Sequence, residues 1–232
     1  PRAILVVTAH WEAPVFTVQG SPTPPMIYDY GGFPPETYQI EYPAPGDPAV
    51  ADRVVELLRD AGLPHDRDDA RGFDHGTFVP LYVMFPDANV PVVQLSILQS
   101  FDPALHLAAG RALAPLRDEG VLIVSSGLPS YHDLSAMGRA SEAPSRTFDE
   151  WLTETMVETA GEERSGRLLH WDSAPAARSA HPREDHFMPL LVAVGAAESE
   201  PGVRNYHEKG SLGGHTTSSA YRLGAPVGAP SR

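Results

Sequence analysis

Ile4-Leu5-Val6-Val7 opens the chain, and Val92-Val93-Gln94-Leu95-Ser96-Ile97 and Val121-Leu122-Ile123-Val124 repeat its character further on. The first and last runs are continuous rather than alternating, the pattern of strands covered on both faces. Between them the apolar period lengthens. Asp47-Pro48 introduces a helix over residues 49–61, with Val50, Val54, Leu57 and Leu58 on one face and Gly62 as its stop. Asp102-Pro103 introduces a second over 104–119, ended by Gly120. Further helices are expected over 145–159 and 183–197, and a last strand over 215–223 followed by a loose tail to Arg232. Strands alternating with helices of this length predict an α/β fold. The expectation is a single domain over residues 1–232, with a central, mostly parallel or mixed sheet and helices on both faces.

The 232 residues carry 17 Lys+Arg against 30 Asp+Glu, a formal net charge of 17 − 30 = −13, and 42% are hydrophobic. A core of useful size is therefore within reach. The negative surplus repels nucleic acid and anionic lipid, so neither is expected as a partner. No apolar run reaches the roughly 20 residues that span a bilayer. The opening residues lack the pattern of a secretory leader, and a cytoplasmic location is expected. With no Cys, disulfides, thiolate metal sites and Cys nucleophiles are all excluded. Any metal must be held by His and carboxylates, and 10 His are available.

The 24 Pro and 20 Gly gather in loops, above all in residues 19–48. There Ser21-Pro22-Thr23-Pro24-Pro25, Gly31-Gly32-Phe33-Pro34-Pro35 and Tyr42-Pro43-Ala44-Pro45-Gly46 are interleaved with Tyr28, Tyr30 and Tyr38. So long a loop is usually functional or disordered, and its aromatics favour an ordered lid or wall beside a pocket. Residues 161–182 read as a surface excursion.

Four histidines stand where chemistry could use them. His10 follows the first strand and His132 follows the third, in Ser125-Ser126-Gly127-Leu128-Pro129-Ser130-Tyr131-His132-Asp133-Leu134. The crevice beyond strand ends is the usual ligand site of open α/β sheets. A lone His after a strand is more often a structural or surface residue; two such placements in a chain without Cys point to metal or acid–base chemistry. His75 follows Asp74, a candidate cap for a helix through Val79 to Met84. Near that helix's positive end a neutral imidazole is favoured, as base or hydrogen-bond partner, the bland reading being a loop His. His186, after Pro182 and an acidic pair, falls in the first turn of the last helix, as ligand or boundary residue. His65, His106, His170 and His207 lie in polar or helix-surface contexts. There is no phosphate-cradling glycine loop, no His-Glu-x-x-His pair and no Gly-x-Ser-x-Gly elbow.

Six segments occur in one order: Ala9-His10-Trp11, Tyr28-Asp29-Tyr30-Gly31-Gly32-Phe33-Pro34, Tyr42-Pro43-Ala44-Pro45-Gly46, Gly72-Phe73-Asp74-His75-Gly76, Pro91-Val92-Val93-Gln94-Leu95-Ser96-Ile97 and His186-Phe187-Met188-Pro189-Leu190. Together they resemble the class III extradiol ring-cleavage dioxygenases, in the branch similar to 4,5-DOPA dioxygenase. The resemblance implies a metal-dependent enzyme that opens a catechol-type ring with O2 to a semialdehyde, using Fe(II) when active, with Zn(II) also found as the bound metal. It implies His10 and His186 as metal ligands and His132 at the metal, as ligand or acid–base residue, with Asp133 where the family usually has Asn. His75 matches an acid–base or substrate-orienting His. Tyr28 and Phe33 would wall the substrate, with His181 and Arg183 also on its side, Arg183 toward a carboxylate. The expected partners are a small catechol and O2, and a homo-oligomer is compatible with the sequence. The family's opening strand, ending in Gly-His-Gly-x-Pro with a further ligand, has no counterpart here, so the natural chain is expected to continue upstream of Pro1. The same ligands would equally serve a His-ligated zinc hydrolase or a non-catalytic metal-binding homologue.

Overall fold

Ile4, Val6 and Val92 pack with Phe73, Phe78 and Leu81, while the intervening Ala3, Leu5 and Val7 are just as fully buried. Successive strand residues point to opposite faces, so this strand is covered on both, as its unbroken apolar run predicts. The structure, a computed structural model, describes residues 1–224, and the loose tail expected toward Arg232 lies outside the described residues. In chain order the elements are β1 (Ala3–Ala13), β2 (Phe16–Gln19), α1 (Pro48–Asp60), β3 (His65–Asp68), α2 (His75–Met84), β4 (Val92–Leu98), α3 (Pro103–Leu113) and α4 (Pro115–Asp118). They continue as β5 (Val121–Ser126), α5 (Glu142–Glu158), α6 (Gly161–Leu169), α7 (Ala177–Ala180), α8 (Met188–Ala196), β6 (Gly202–Gly210) and β7 (Thr216–Leu223). No described helix is long and apolar enough to cross a membrane.

Contacts gather the chain into two units, residues 1–127 with 188–196, and 128–187 with the stretch from 197 onward. The first unit holds a five-stranded sheet in the order β3-β2-β4-β1-β5. β1 runs parallel to β4 and β5, and β2 runs parallel to β3 but antiparallel to β4, so the sheet is mixed. The α/β class is as the alternation predicts.

Asp47 and Asp102 cap α1 and α3, their carboxylates accepting from Ala49 and Val50 and from Ala104 and Leu105, with Pro next in each case. The single helix expected over 104–119 is two. Pro115 has no N–H to return to the preceding turn, and the chain restarts there as α4. His106, placed by its sequence context on a helix surface, is fully buried: its Nδ1 donates to the Asp102 carbonyl at 2.7 Å and its Nε2 accepts from Leu98 N–H at 3.1 Å. Burial pushes its pKa down to about 4. α3 and α8 meet at Gly110 and Gly195, where a Cβ on either would run into the other helix's backbone.

α8 begins at Met188, five residues later than expected. A helix from 183 would carry Pro189 in its interior, whereas a start at Met188 puts Pro189 in the first turn, where no N–H is needed. His186 therefore sits in the preceding turn, which Phe187 closes by donating to the Glu184 carbonyl at 2.9 Å.

In the second unit α5 packs against the antiparallel β6–β7 hairpin. Ser145 of α5 accepts from Thr217 N–H at 2.8 Å, and Ser130 donates to the Thr217 carbonyl at 3.0 Å. Residues 161–182 are not a surface excursion. Arg164 and Trp171 are buried, Trp171 lies 4.8 Å from Phe187, and Arg164 donates to the carbonyls of Thr159 and Glu200. Ring contact and carbonyl capping hold inside a stretch whose composition looks like surface.

Candidate metal and acid–base sites

β1 continues to Ala13, so His10 lies within the strand rather than after it. The ladder to β4 runs in register from Ile4↔Val92 to Val7↔Leu95 and resumes only at Glu12↔Ile97, while pairing with β5 ends at Thr8↔Ser126. His10 stands in this irregular stretch. Such breaks re-aim side chains next to functional sites.

Asp74 ties that stretch to α2. Its buried carboxylate accepts from Thr8 Oγ1 at 2.9 Å, Gln94 Nε2 at 3.0 Å, Arg71 Nη2 at 3.1 Å and Thr77 N–H at 3.1 Å. The last is the helix cap expected from sequence, and Thr8 Oγ1 in turn accepts from His10 N–H at 3.2 Å. Burial pushes Asp74 above the usual carboxylate value, although the bonds from Thr8 and Arg71 oppose it.

α2 then presents His75, whose ring centroid lies 3.9 Å from that of His10 with the planes tilted by 50°. Gly76 makes this approach possible: a Cβ there would fall 2.6 Å from His10 Cδ2. Asp29, from the long loop, completes the group. Its Oδ1 accepts from both the backbone N–H of His75 at 2.9 Å and its ring Nδ1 at 2.8 Å, and its Oδ2 lies 3.6 Å from His10 Nδ1. Burial alone would raise Asp29, but the bonds and charge of His75 outweigh it and hold the carboxyl below its ordinary value.

The loop itself is ordered, as its aromatics suggest. Tyr28 donates to the Ile40 carbonyl at 2.7 Å and Tyr30 to that of Thr37 at 2.6 Å, across a 3-10 turn at Pro35–Gln39. Tyr30 meets His75 edge-on at 5.4 Å, and Phe33, 59% exposed, packs on Tyr30 at 5.6 Å.

A second group lies in the other unit. His132 and His186 stack with centroids 3.3 Å apart and planes within 11°. Asp185 Oδ2 lies 3.1 Å from His186 Nδ1 and accepts from Arg183 Nη1 at 3.1 Å. Burial would raise the Asp185 carboxyl, yet His186 and then Arg183 hold it well below the carboxylate range. The His132 N–H donates to the Ala180 carbonyl at 2.8 Å, and Asp133 turns away to cap a 3-10 turn through Ser135. His181 is fully buried among Phe148, Trp171 and Phe187, with Nε2 donating to the Pro129 carbonyl at 2.9 Å. Burial lowers its pKa to about 4, so the ring faces protein as a neutral group.

In each group, His10–Asp29–His75 and His132–Asp185–His186, one donor atom per residue lies within 4.8 Å of the others. Two imidazoles and a carboxylate, without thiolate, are a donor set that fits Fe(II) or Zn(II). Sequence reading named the histidines but passed over both carboxylates. The available signals were Asp29 flanked by Tyr28 and Tyr30, and Asp185 next to His186.

A family model described as the catalytic LigB subunit of aromatic ring-opening dioxygenase matches residues 1–224. The dioxygenase tasH of Hapsidospora irregularis is 42% identical over 225 residues, covering 90% of this chain and 68% of that protein. The 4,5-DOPA dioxygenase extradiol of Beta vulgaris is 42% identical over 201 residues (85% and 74%), and that of Escherichia coli (strain K12) is 41% identical over 207 (88% and 75%). The crystal structure of an uncharacterized protein from Escherichia coli K12 superposes with a TM-score of 0.77 at 34% identity, covering 95% of this chain and 86% of that one.

Proposed function

This chain belongs to the family of catalytic LigB subunits of aromatic ring-opening dioxygenases, and we propose that it opens a catechol-type ring beside its diol. All atoms of the substrate and of O2 end in one ring-opened semialdehyde, so no outside reductant is needed. The observation that carries this reading is the pair of histidine–carboxylate groups in a chain of this family, each with donor atoms within 4.8 Å of one another.

In this reading His10 and His186 are metal ligands. Fe(II), when bound, supplies a centre at which a diol and O2 exchange electrons. His132 either adds a ligand or moves a proton, its ring already stacked on His186. His75 takes a phenolic proton and returns it later, a task suited to an imidazole near neutral pH. Its Nδ1 is engaged by Asp29, which leaves Nε2 for the proton. Tyr28, Tyr30 and Phe33 form an aromatic wall that orients a flat substrate and excludes water. Arg183, bonded to Asp185, offers a cation to a substrate carboxylate.

Anaerobic loading with Fe(II), followed by a panel of catechols and admission of O2, tests the proposal. The expected result is O2 uptake with a yellow ring-opened product. Zinc-dependent ester or amide hydrolysis, without O2 uptake on any catechol, would overturn it.

A further inference from the structure

Asp29 is held in place more firmly than a loop carboxylate needs to be. Just before it, Ile27 N–H donates to the Phe73 carbonyl and Phe73 N–H to the Pro25 carbonyl, both at 2.8 Å. This two-bond clasp joins the loop to the residues that lead into Asp74 and His75. Gly72 is required there, because a Cβ would collide with the Pro25 carbonyl. On either side Tyr28 and Tyr30 are tied down through their hydroxyls.

The carboxylate so placed puts a single oxygen, Oδ1, on both the backbone N–H and the ring Nδ1 of His75. An ionised carboxylate only accepts, so His75 Nδ1 must carry its hydrogen and Nε2 becomes the ring's one acceptor. We infer that Asp29 is a positioning residue: it fixes the His75 tautomer and orientation, so that Nε2 alone accepts and returns the reaction's proton. The inference rests on the acid–base role proposed for His75. The second oxygen lies 3.6 Å from His10 Nδ1, beyond hydrogen-bond distance, so the hold is on His75 alone. Carboxylates that orient a working imidazole in this way are a recurring device.

A purely structural role would look different. Asp29 would then cap an otherwise unpaired N–H at the start of α2, beside the cap Asp74 already supplies. Asp29→Asn separates the two roles. Its amide oxygen can still accept the His75 N–H, but the neutral group no longer dictates the ring's tautomer. Long-range proton–nitrogen spectra of the metal-free protein, above the imidazole titration range, read that tautomer directly, with His75 assigned by difference against His75→Gln. The unsubstituted protein should show the Nδ1–H form, and Asp29→Asn a shift toward Nε2–H. In the iron-loaded enzyme kcat should fall about 10–100-fold with KM within roughly threefold and metal content kept. An unchanged tautomer with unchanged kcat, even if the melting temperature falls, would overturn the inference and leave Asp29 as a helix cap. The spectra require no turnover. Failure to open any catechol would therefore refute the proposed function, while Asp29's hold on His75 would be decided by the tautomer.

Discussion

The two histidine–carboxylate groups use the same residue types and reach them by opposite routes. In His10–Asp29–His75 the carboxylate comes from a loop 46 residues before the ring it binds, and the rings are tilted by 50°. Three separate pieces aim that group: the irregular stretch of β1, the capped start of α2 and the clasped aromatic loop. In His132–Asp185–His186 the carboxylate is the sequence neighbour of one ring, and the rings lie nearly parallel at 3.3 Å. The difference teaches where each group is vulnerable: the first to changes in its scaffold, the second to changes in the side chains themselves.

The largest effect should come from the ligands. His186→Ala and His10→Ala are each expected to lose bound metal and turnover together, checked by metal analysis beside a catechol assay; metal kept at the unsubstituted level in either would break the parallel between the groups. Next, His75→Gln should retain metal while kcat falls about 10²–10⁴-fold, the usual worth of a general acid–base group. Equal loss of metal would instead make His75 a ligand. A scaffold change comes third. Gly76→Ala sets a Cβ 2.6 Å from His10 Cδ2 and 2.7 Å from Thr8 Oγ1. It is expected to cost about 1–3 kcal/mol in denaturant unfolding and about 10-fold in metal affinity.

The last effect concerns pH and touches stability alone. His106 in the first unit and His181 in the second are buried neutral, each with its pKa lowered to about 4. A group whose folded pKa lies below its unfolded value of about 6.5 contributes stability above that value and loses it as pH falls toward the folded one. Each is therefore expected to cost on the order of 1–3 kcal/mol between about pH 6.5 and 4. Urea midpoints across that window should fall with acid, and His106→Gln should flatten the slope.

Much of the sheet was readable because apolar runs announce strands: β1, β4 and β5 lie where their runs predict, although the double-sided burial read from the last run is not met, since β5 is only half-buried beyond Val121. β3 was not, since His65-Asp66-Arg67-Asp68 is polar throughout and is a strand only through its parallel pairing with β2. β6 is mostly exposed, so no alternation marks it. α1 and α2 were announced by Asp47 and Asp74, caps whose chemistry is local. The site histidines were visible because a chain without Cys narrows metal chemistry to few residue types. Asp29 and Asp185 were not, because a loop carboxylate has no period and its partners are chosen by packing. His106 was misplaced for a related reason: a helix face seen alone does not say whether water or a strand end covers it.

The most direct measurement of the central claim is the structure and mass of the product formed from a catechol by the Fe(II)-loaded protein under labelled O2. The expected product has the mass of the substrate plus both oxygen atoms and is a semialdehyde cut beside the diol. A dicarboxylic acid from cleavage between the hydroxyls, or no O2 consumed at all, would contradict it.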